Sequence, residues 1–401
     1  MKIFLTTQNQ YDSYFMANFG TIPYKEEEEP LFLNPDGVRK RFPIGWNGHG
    51  RYIPGTLKVF KGDSQIEPDN IKQEYGGIFF EFATAPEKGS YSDYKVKYIP
   101  RPSDVAFSTG AVGSKYEGEE YFLFPNWLNA AGEDEAFWIG KYTLSRSDAS
   151  ASSQGSSTIP VTKKGVRTWT GYVYSGWDAV CNRKGPGFHR MRNREWMSIV
   201  YWQEAMGIAP DGNKFGYYHA DDHADNMDGK GNGYPSSSTI KIEEYNKILT
   251  GTGPASWRHN GKDGGISDLV GNVWECVAGL KLIDNVIWLF NDKNELYNTG
   301  FVYTDQMTLA DGTAFSRLRT DNPYYIEGIP TTLTDESLSR AVEGADGQWL
   351  VTNRERILYR GGCCYHGELC GLFTFNVNNA PSDYDWSTGC RLARELQDTI
   401  L

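Results

Sequence analysis

The sequence predicts an α+β protein that is rich in short β-strands and turns. Aromatic residues make up 14% of the 401 residues and 44 residues are glycine, a composition typical of strands joined by tight turns. Apolar residues alternate with other residues in runs between residues 57 and 98, whereas one stretch, residues 194–207, has apolar residues at helical spacing. A chain of this length is sufficient for two or three packed domains.

The first 105 residues divide into two predicted parts. Residues 1–48 have no clear period and contain the turn signal NPDG, which predicts an N-terminal arm or a partial β element. In residues 49–105, apolar side chains alternate in three short runs that start at Leu57, Ile78 and Val96, with the turn signals KGD and PEKG between them. We predict a small antiparallel β-sandwich that serves as a spacer. This part resembles β-sandwich modules of bacteriophage tail and fibre proteins.

The remaining residues, 106–401, form a third predicted part that is rich in Trp and Gly. Its clearest periodic stretch is REWMSIVYWQEAMG (194–207), where Trp196, Ile199 and Val200 fall on one face of a helix. Gly207 is suited to end that helix.

Charge and cysteine content argue against several classes of function. The formal net charge of −11 disfavours a nucleic-acid partner, because such partners require a basic face. The first residues lack the apolar core of a signal peptide and no apolar stretch is long enough to span a membrane, so membrane insertion is not expected. Six cysteines are too few for a disulfide framework of this size, and we expect most to be reduced thiols.

Five motifs occur in one order along the third part. They are FWIGKYTLSR (137–146), YSGWDAVCN (174–182), HRMRNREWMSIVYW (189–202), GGISDLVGNVWECV (264–277) and YRGGCC…GCRLARE (359–395). The series resembles the formylglycine-generating-enzyme branch of the C-type lectin fold. The segment GLFTFNVNNAPSDYDWSTGCR (371–391) is similar to the variable region of diversity-generating retroelement proteins. The resemblance implies a C-type lectin domain over residues 106–401 with a variable region at residues 360–395.

The first resemblance implies a copper-dependent oxidase. Formylglycine-generating enzymes carry catalytic cysteines four and nine positions after the RGG motif, and here those positions hold His366 and Gly371. Cys363, Cys364 and Cys370 are out of register, so two thiolates in the near-linear geometry that copper(I) needs are not expected. No CxxC pair accompanies His366, which argues against zinc. We therefore predict that the protein is not an enzyme, with this oxidase as the alternative.

The second resemblance implies a binding surface whose residues vary. Retroelement proteins keep a fixed lectin scaffold while errors at template adenines rewrite chosen codons. An AAC codon can then reach Cys, Tyr, His, Asp, Ser, Phe or Asn, but not Lys, Met or Gln. Most polar residues of this segment belong to the reachable set, whereas Glu368 and Trp386 need another codon or a fixed position. An invariant polar loop of a lectin-like structural protein is the other interpretation.

Alternation along the same segment suggests which residues are displayed. Phe373, Phe375 and Val377 alternate with polar residues, so one strand face is predicted to be core and the other exposed. Tyr and Trp supply contact area at low entropic cost, while Asn, Ser and Asp offer adaptable hydrogen bonds. The predicted ligand-binding residues are Cys363, Tyr365, His366, Glu368, Asn376, Asn378, Asn379, Asp383, Tyr384, Asp385, Trp386 and Ser387.

Two stretches raise the question of a structural cation. In DLVGNVWE, the resemblance implies a calcium site made by the side chains of Asp268 and Glu275 and the carbonyls of Gly271 and Val273; the alternative is a tight turn. Residues 217–233 gather His and Asp side chains, which suits a solvated acidic loop or an oxygen-ligated cation. No other cofactor is predicted.

The sequence thus predicts a ligand-binding protein rather than an enzyme. Its expected setting is the virion, at the tip of a phage tail, with a host cell-surface protein or glycan as partner. The resemblance to tail proteins adds the expectation of a homotrimer, in which weak single sites gain by multivalency.

Overall fold

The computed structural model describes residues 27–30, 35, 37–38, 40–44, 57–74, 77–98, 118–126, 135–206, 210–214, 247–261, 264–291, 295–303, 313–315, 327–330, 337–338, 346–351 and 353–395. Among these residues the protein is mostly β with few helices, which confirms the broad fold class predicted from composition. No helix in the described ranges is both long and apolar enough to cross a membrane.

The strands of the described residues are numbered in chain order. They are β1 (Glu27–Pro30), β2 (Arg41–Ile44), β3 (Lys58–Lys61), β4 (Ser64–Ile66), β5 (Asn70–Glu74), β6 (Gly77–Glu81), β7 (Tyr94–Tyr98), β8 (Tyr121–Asn126), β9 (Glu135–Gly140), β10 (Ser145–Arg146), β11 (Pro160–Val161), β12 (Phe188–Arg190), β13 (Trp274–Ile283), β14 (Val286–Phe290), β15 (Leu296–Val302), β16 (Thr313–Phe315), β17 (Ser337–Leu338), β18 (Asp346–Leu350), β19 (Glu355–Arg360), β20 (Phe375–Asn379), β21 (Thr388–Gly389) and β22 (Leu392–Glu395). The α-helices there are α1 (Trp177–Asn182) and α2 (Asn193–Met206).

The N-terminal strands form two antiparallel sheets. One has the order β1-β7-β3-β4 and the other β2-β6-β5. Their inward residues share one buried cluster, in which Phe42 and Phe80 of the second sheet meet Val59, Tyr94 and Val96 of the first. The strands β1 and β2, which come from the predicted arm, therefore pair with strands of the predicted spacer.

The largest sheet lies in the C-terminal part of the chain. Its strand order is β15-β14-β13-β19-β20-β18-β16-β17, and β21 pairs in parallel with β13. Most neighbours are antiparallel, but β20 runs parallel to β18 and antiparallel to β19. A second sheet has the order β12-β22-β9-β8. Because β20 lies between two partners in the middle of the large sheet, it is not an edge strand.

Helix α2 packs between the sheets, close to the position predicted from its periodicity. Trp196, Ile199 and Val200 lie in the largest buried cluster, with residues of β9, β13 and β20. The carboxylate of Glu195 accepts a hydrogen bond from the backbone N–H of Arg192 at 2.7 Å, which caps the first turn of the helix. The helix also contacts β2 and β6, so it joins the N-terminal sandwich to the larger core.

Candidate functional site

The segment that carries the predicted binding residues begins at a buried arginine. Arg360 ends β19 and is fully buried, and its guanidinium donates to Asn193 Oδ1 at 2.9 Å and to the carbonyls of Glu327, Gly328 and Phe373 at 2.8–3.1 Å. Burial lowers the pKa of Arg360 to about 10, so the guanidinium remains charged at neutral pH. It ties the start of α2 to both ends of the loop that leads into β20.

Two glycines after Arg360 allow the chain to turn sharply. Gly361 and Gly362 have φ of +82° and +80°, a conformation that other residues rarely adopt. A Cβ at Gly361 would lie 2.4 Å from the carbonyl oxygen of Leu269, and one at Gly362 would lie 2.4 Å from Cys370 Sγ. This turn sends Cys363 inward and brings Tyr365 to the surface.

Beneath that surface, Cys363 and His366 form a packed pair. Cys363 Sγ lies 2.9 Å from His366 Nδ1, and the imidazole ring packs edge-on against Trp274 and Trp349, with centroid separations of 5.0 Å. Burial lowers the pKa of His366 to about 4 and raises the pKa of the Cys363 thiol well above its ordinary value. At neutral pH the pair is therefore a neutral imidazole beside a thiol, which is not an activated nucleophile.

The structure divides the predicted binding residues into buried and exposed groups. The prediction that all are displayed is wrong for Cys363, Asn376 and Ser387, whose exposed fractions are 0%, 4% and 2%. His366, Asn378, Asn379 and Trp386 are partly buried, and the side chain of Glu368 lies outside the described residues. The exposed residues of the set are Tyr365, Asp383, Tyr384 and Asp385, and Tyr384 is the most exposed large side chain among them at 69%.

The predicted alternation fails because β20 is covered on both faces. Thr374, Phe375, Asn376 and Val377 are all buried, as expected for a central strand rather than for one with a solvated face. The side chain of Asn376 accepts a hydrogen bond from the backbone N–H of Asn378 at 3.1 Å, so it has a local structural role.

Residues 380–387, which we name the outer turn, follow β20 and reach solvent. Two carboxylates fix the backbone of this turn. Asp383 Oδ2 accepts from the N–H of Ala380 at 2.7 Å, and Asp385 Oδ1 accepts from the N–H and the hydroxyl of Ser387 at 2.7 and 2.5 Å. These are Asx-type contacts, in which a short carboxylate side chain replaces a backbone partner. Tyr384 stands between the two aspartates.

A second segment, residues 171–176, supports the outer turn from below, and we name it the supporting loop. Backbone N–H groups of Gly171, Tyr174 and Ser175 donate to the carbonyls of Asp385, Asp383 and Pro381 at 2.9, 3.3 and 3.2 Å. The carbonyl of Trp386 accepts from the Lys247 ammonium at 3.2 Å, and the carbonyl of Ser387 accepts from the N–H of Trp274 at 2.8 Å. Five backbone carbonyls of the outer turn thus accept hydrogen bonds from other segments of the protein.

Aromatic side chains connect the outer turn to the Arg360–His366 segment. The ring of Tyr365 lies 4.4 Å from His366 and 5.6 Å from Trp386, centroid to centroid, and the Lys247 ammonium lies 5.7 Å from the Trp386 ring. Tyr365 is 38% exposed. The result is an aromatic surface of Tyr365 and Trp386 beside the projecting Tyr384, bordered by the two aspartates.

The residues matched to a calcium site are engaged by protein groups. Arg391 donates to both oxygens of Glu275 and to the carbonyls of Gly140 and Ser267, and all of these contacts are buried. Asp268 Oδ2 accepts from the N–H of Gly251 at 2.8 Å. A guanidinium thus lies where a cation bound to Glu275 would have to lie, so the Glu275 carboxylate in this arrangement does not fit a calcium ion.

The backbone of the same stretch forms a tight turn. Asp268, Gly271 and Asn272 have φ of +61°, +69° and +63°. The side-chain oxygen of Asn272 accepts from the N–H of Ile248 at 2.9 Å, and Val273 is fully buried. Within the described ranges, no group of three or more His, Cys, Asp and Glu side chains is arranged to hold a metal. The acidic stretch 217–233 lies outside those ranges.

Several residues that shape the site were not identified from the sequence. The supporting loop overlaps the motif YSGWDAVCN (174–182) at residues 174–176, but its hydrogen bonds to the outer turn join segments about 200 positions apart and leave no local pattern. Lys247, Trp349 and Arg391 likewise act across the fold. The only local indication of a rigid turn is that Asp383 and Asp385 lie close to Pro, Ser and Tyr residues in the sequence.

Comparison with known proteins adds little to this description. No family model matches the sequence, and no curated protein matches it. A solved structure named Major Tropism Determinant I1 Variant is similar to this chain, with 12% sequence identity and a TM-score of 0.30. The match covers 90% of this chain and 88% of that chain. A similarity at this level assigns neither fold nor function, so the site must be interpreted from its own residues.

Proposed function

We propose that this protein is a non-enzymatic receptor-binding protein that contacts a host cell-surface protein or glycan through the outer turn, Tyr365 and Trp386. One observation carries the proposal. Tyr384 projects into solvent, with 69% of its surface exposed, from a turn whose backbone is fixed by Asp383, Asp385 and the supporting loop. Exposure of this degree leaves most of the Tyr384 side chain free to contact a ligand.

The physical properties of the surface suit binding. Tyr and Trp bring a large contact area and lose little conformational entropy, since they have only two side-chain torsions. A backbone that is already ordered by hydrogen bonds does not have to be ordered by the ligand, which lowers the entropic cost of association. Interfaces commonly draw most of their affinity from a few central Tyr, Trp or Arg side chains. Tyr365, Tyr384 and Trp386 are the candidates here.

The alternative, a cysteine-dependent oxidase, lacks a suitable thiol pair in this region. Cys363, Cys364 and Cys370 are all buried, with exposed fractions of 3% or less. Burial raises the pKa of Cys363 and of Cys370, and Cys370 Sγ donates to the carbonyl of Cys363 at 3.1 Å. Copper(I) binding requires accessible thiolates, whereas burial favours the neutral thiol forms of Cys363 and Cys370.

The proposal extends to the scaffold and its setting. The third part of the chain is proposed to be a C-type lectin domain, and the exposed positions of the segment 360–395 are proposed to be the variable positions of a diversity-generating retroelement protein. The protein would act at the tip of a phage tail as a homotrimer, so that several weak contacts act together. A near-copy of the DNA that encodes residues 360–395, beside a reverse-transcriptase gene, would support the retroelement origin; its absence from the surrounding DNA would contradict it.

Binding is tested with single tyrosine variants. The immobilised full chain is probed with panels of bacterial surface glycans and purified cell-envelope proteins, and each hit is measured again with Tyr384→Ser and Tyr365→Ser. The matched control is Tyr297→Ser, since Tyr297 is a comparably exposed tyrosine on β15, at 42%. We expect at least tenfold weaker binding for Tyr384→Ser and unchanged binding for the control. Equal affinities of Tyr384→Ser and Tyr297→Ser for the ligand would contradict the proposal.

A further inference from the structure

Four of the six cysteines lie in one buried aromatic cluster. Cys181, Cys276, Cys363 and Cys390 are all fully buried there, and the sulfur atoms of Cys181 and Cys390 are 3.9 Å apart. We propose that Cys181 and Cys390 form a disulfide when the protein meets an oxidising environment, and that this bond locks the supporting loop to the outer turn.

The two cysteines occupy positions that make such a bond consequential. Cys181 is in α1, the helix that follows the supporting loop directly. Cys390 comes directly after β21, which follows the last residue of the outer turn. The pair therefore lies just beyond the C-terminal ends of the two segments that the backbone hydrogen bonds of Gly171, Tyr174 and Ser175 already join. A bond between them would cross-link the base of the candidate binding surface.

Other pairings of the six cysteines are less favourable. Cys276 Sγ accepts a hydrogen bond from the Arg190 guanidinium at 2.9 Å, which holds it on a different partner. Cys363 and Cys364 are adjacent in the chain, and consecutive Cα atoms are about 3.8 Å apart. Disulfide-bonded residues usually have Cα atoms about 4.4–6.8 Å apart, so a bond between neighbours requires a distorted peptide. Cys370 Sγ is directed at a backbone carbonyl.

The reaction is ordinary thiol–disulfide exchange with a small disulfide such as oxidised glutathione. One thiol loses its proton and its sulfur attacks the oxidant, releasing one reduced glutathione and forming a mixed disulfide. The second sulfur then attacks the protein-bound sulfur and releases the second reduced glutathione. Overall the two cysteines lose two protons and two electrons, and the oxidant is reduced to two thiols.

Burial controls the rate of this step. Both thiols are 0% exposed, and burial raises the pKa of Cys390 well above its ordinary value, although the Arg190 charge opposes that shift. The thiolate is the attacking species, so exchange requires a brief opening of the six-residue helix α1. We therefore expect slow oxidation that accelerates in dilute denaturant. The closed bond would join residues 209 positions apart and restrict the unfolded chain accordingly.

Thiol counting tests the proposal on the full chain. The reduced protein is incubated with oxidised glutathione, unfolded in guanidinium with N-ethylmaleimide, and weighed by mass spectrometry. We expect four alkylated thiols out of six, and a Cys181–Cys390 peptide after digestion. Six alkylated thiols, or a linkage between other cysteines, would overturn the proposal.

Two variants control for pairing. Cys181→Ser leaves five cysteines and should show no disulfide within the chain after digestion, whereas Cys276→Ser should keep the bond and leave three alkylated thiols. The oxidised wild type should melt several degrees above the reduced form, and this gain should be missing in Cys181→Ser. The expected consequence for binding, a slower dissociation of ligand after oxidation, rests on the proposed function. The thiol count does not depend on the proposed function, so the disulfide and the proposed function can be contradicted separately.

Discussion

Replacing His366 distinguishes a structural role from a ligand-binding one. The imidazole packs against three rings, with centroids at 4.4 Å to Tyr365 and 5.0 Å to both Trp274 and Trp349, and its Nδ1 lies 2.9 Å from Cys363 Sγ. His366→Ala would leave a cavity among these aromatic rings. Removal of a partly buried side chain of this size costs about 2–4 kcal/mol, to which lost ring contacts contribute about 0.5–1.5 kcal/mol each.

The expected cost converts to a measurable change in melting temperature. A loss of about 3 kcal/mol, at about 2–4 °C per kcal/mol for a domain of this size, corresponds to a fall of about 6–12 °C. Scanning calorimetry at pH 7 measures it, with Tyr384→Ala as the control. Because Tyr384 is 69% exposed, its truncation should change stability by no more than about 0.5 kcal/mol. Equal melting temperatures for the two variants would refute the inward placement of His366.

Three further outcomes follow from the buried groups. Burial raises the pKa of Asp346 from 3.8 to about 6, so its stabilising contribution is present below pH 4 and lost as the pH rises to about 6. The free energy of unfolding of the wild type should therefore fall by about 3 kcal/mol between pH 4 and pH 7. Asp346→Asn should not show this fall, and urea unfolding of both proteins measures it. Glu275→Gln should lower the free energy of unfolding by about 3–5 kcal/mol, because it breaks the buried pair with Arg391. Added calcium or a chelator should not alter that difference. A melting temperature that depends on calcium in the wild type but not in Glu275→Gln would contradict this expectation. With copper(I), oxygen and a sulfatase-type cysteine peptide, we expect no aldehyde by mass; aldehyde formation that Cys364→Ala or Cys370→Ala abolishes would establish the oxidase.

Local patterns in the sequence predict the parts of this fold that depend on local physics. The helical spacing of Trp196, Ile199 and Val200 places α2 within one residue of its observed ends. The alternation around Val59, Phe80 and Val96 marks three strands that meet in one small core. In both cases a single face of the element is buried, so the period of the apolar residues reports directly on packing.

The failures concern residues whose environment is set by distant segments. Alternation around Phe375 predicted that Asn376 is exposed, but β18 and β19 flank β20 and both of its faces are covered. From the sequence alone, a polar residue in such a strand is predicted to be exposed, because the segments that cover it are not known. Arg391 offers a similar case, since it pairs with Glu275 across 116 positions, and no local pattern around the motif predicts that contact.

The candidate binding surface was identified only in part for the same reason. Tyr365, Tyr384 and Asp385 were expected at the surface and lie there, whereas Cys363 and Ser387 point into the core. The set of residues that one codon can reach describes what a position can become, but it does not determine where that position lies. Asp383 and Asp385 are exposed, yet their carboxylates hold the turn, so exposure alone does not make a contact residue either.

A randomised library of the full chain separates the residues needed for folding from those that contact the ligand. Codons for Tyr365, Asn379, Tyr384, Cys363 and Asn376 are each varied, and variants are sequenced before and after selection, first for folding and then for binding to the ligand of the wild type. We expect selection for folding to restrict Cys363 and Asn376 and to leave Tyr365 and Tyr384 variable, and selection for binding then to restrict the two tyrosines. If binding leaves Tyr365 and Tyr384 as variable as folding does, the outer turn is not the contact surface and the proposed function is wrong.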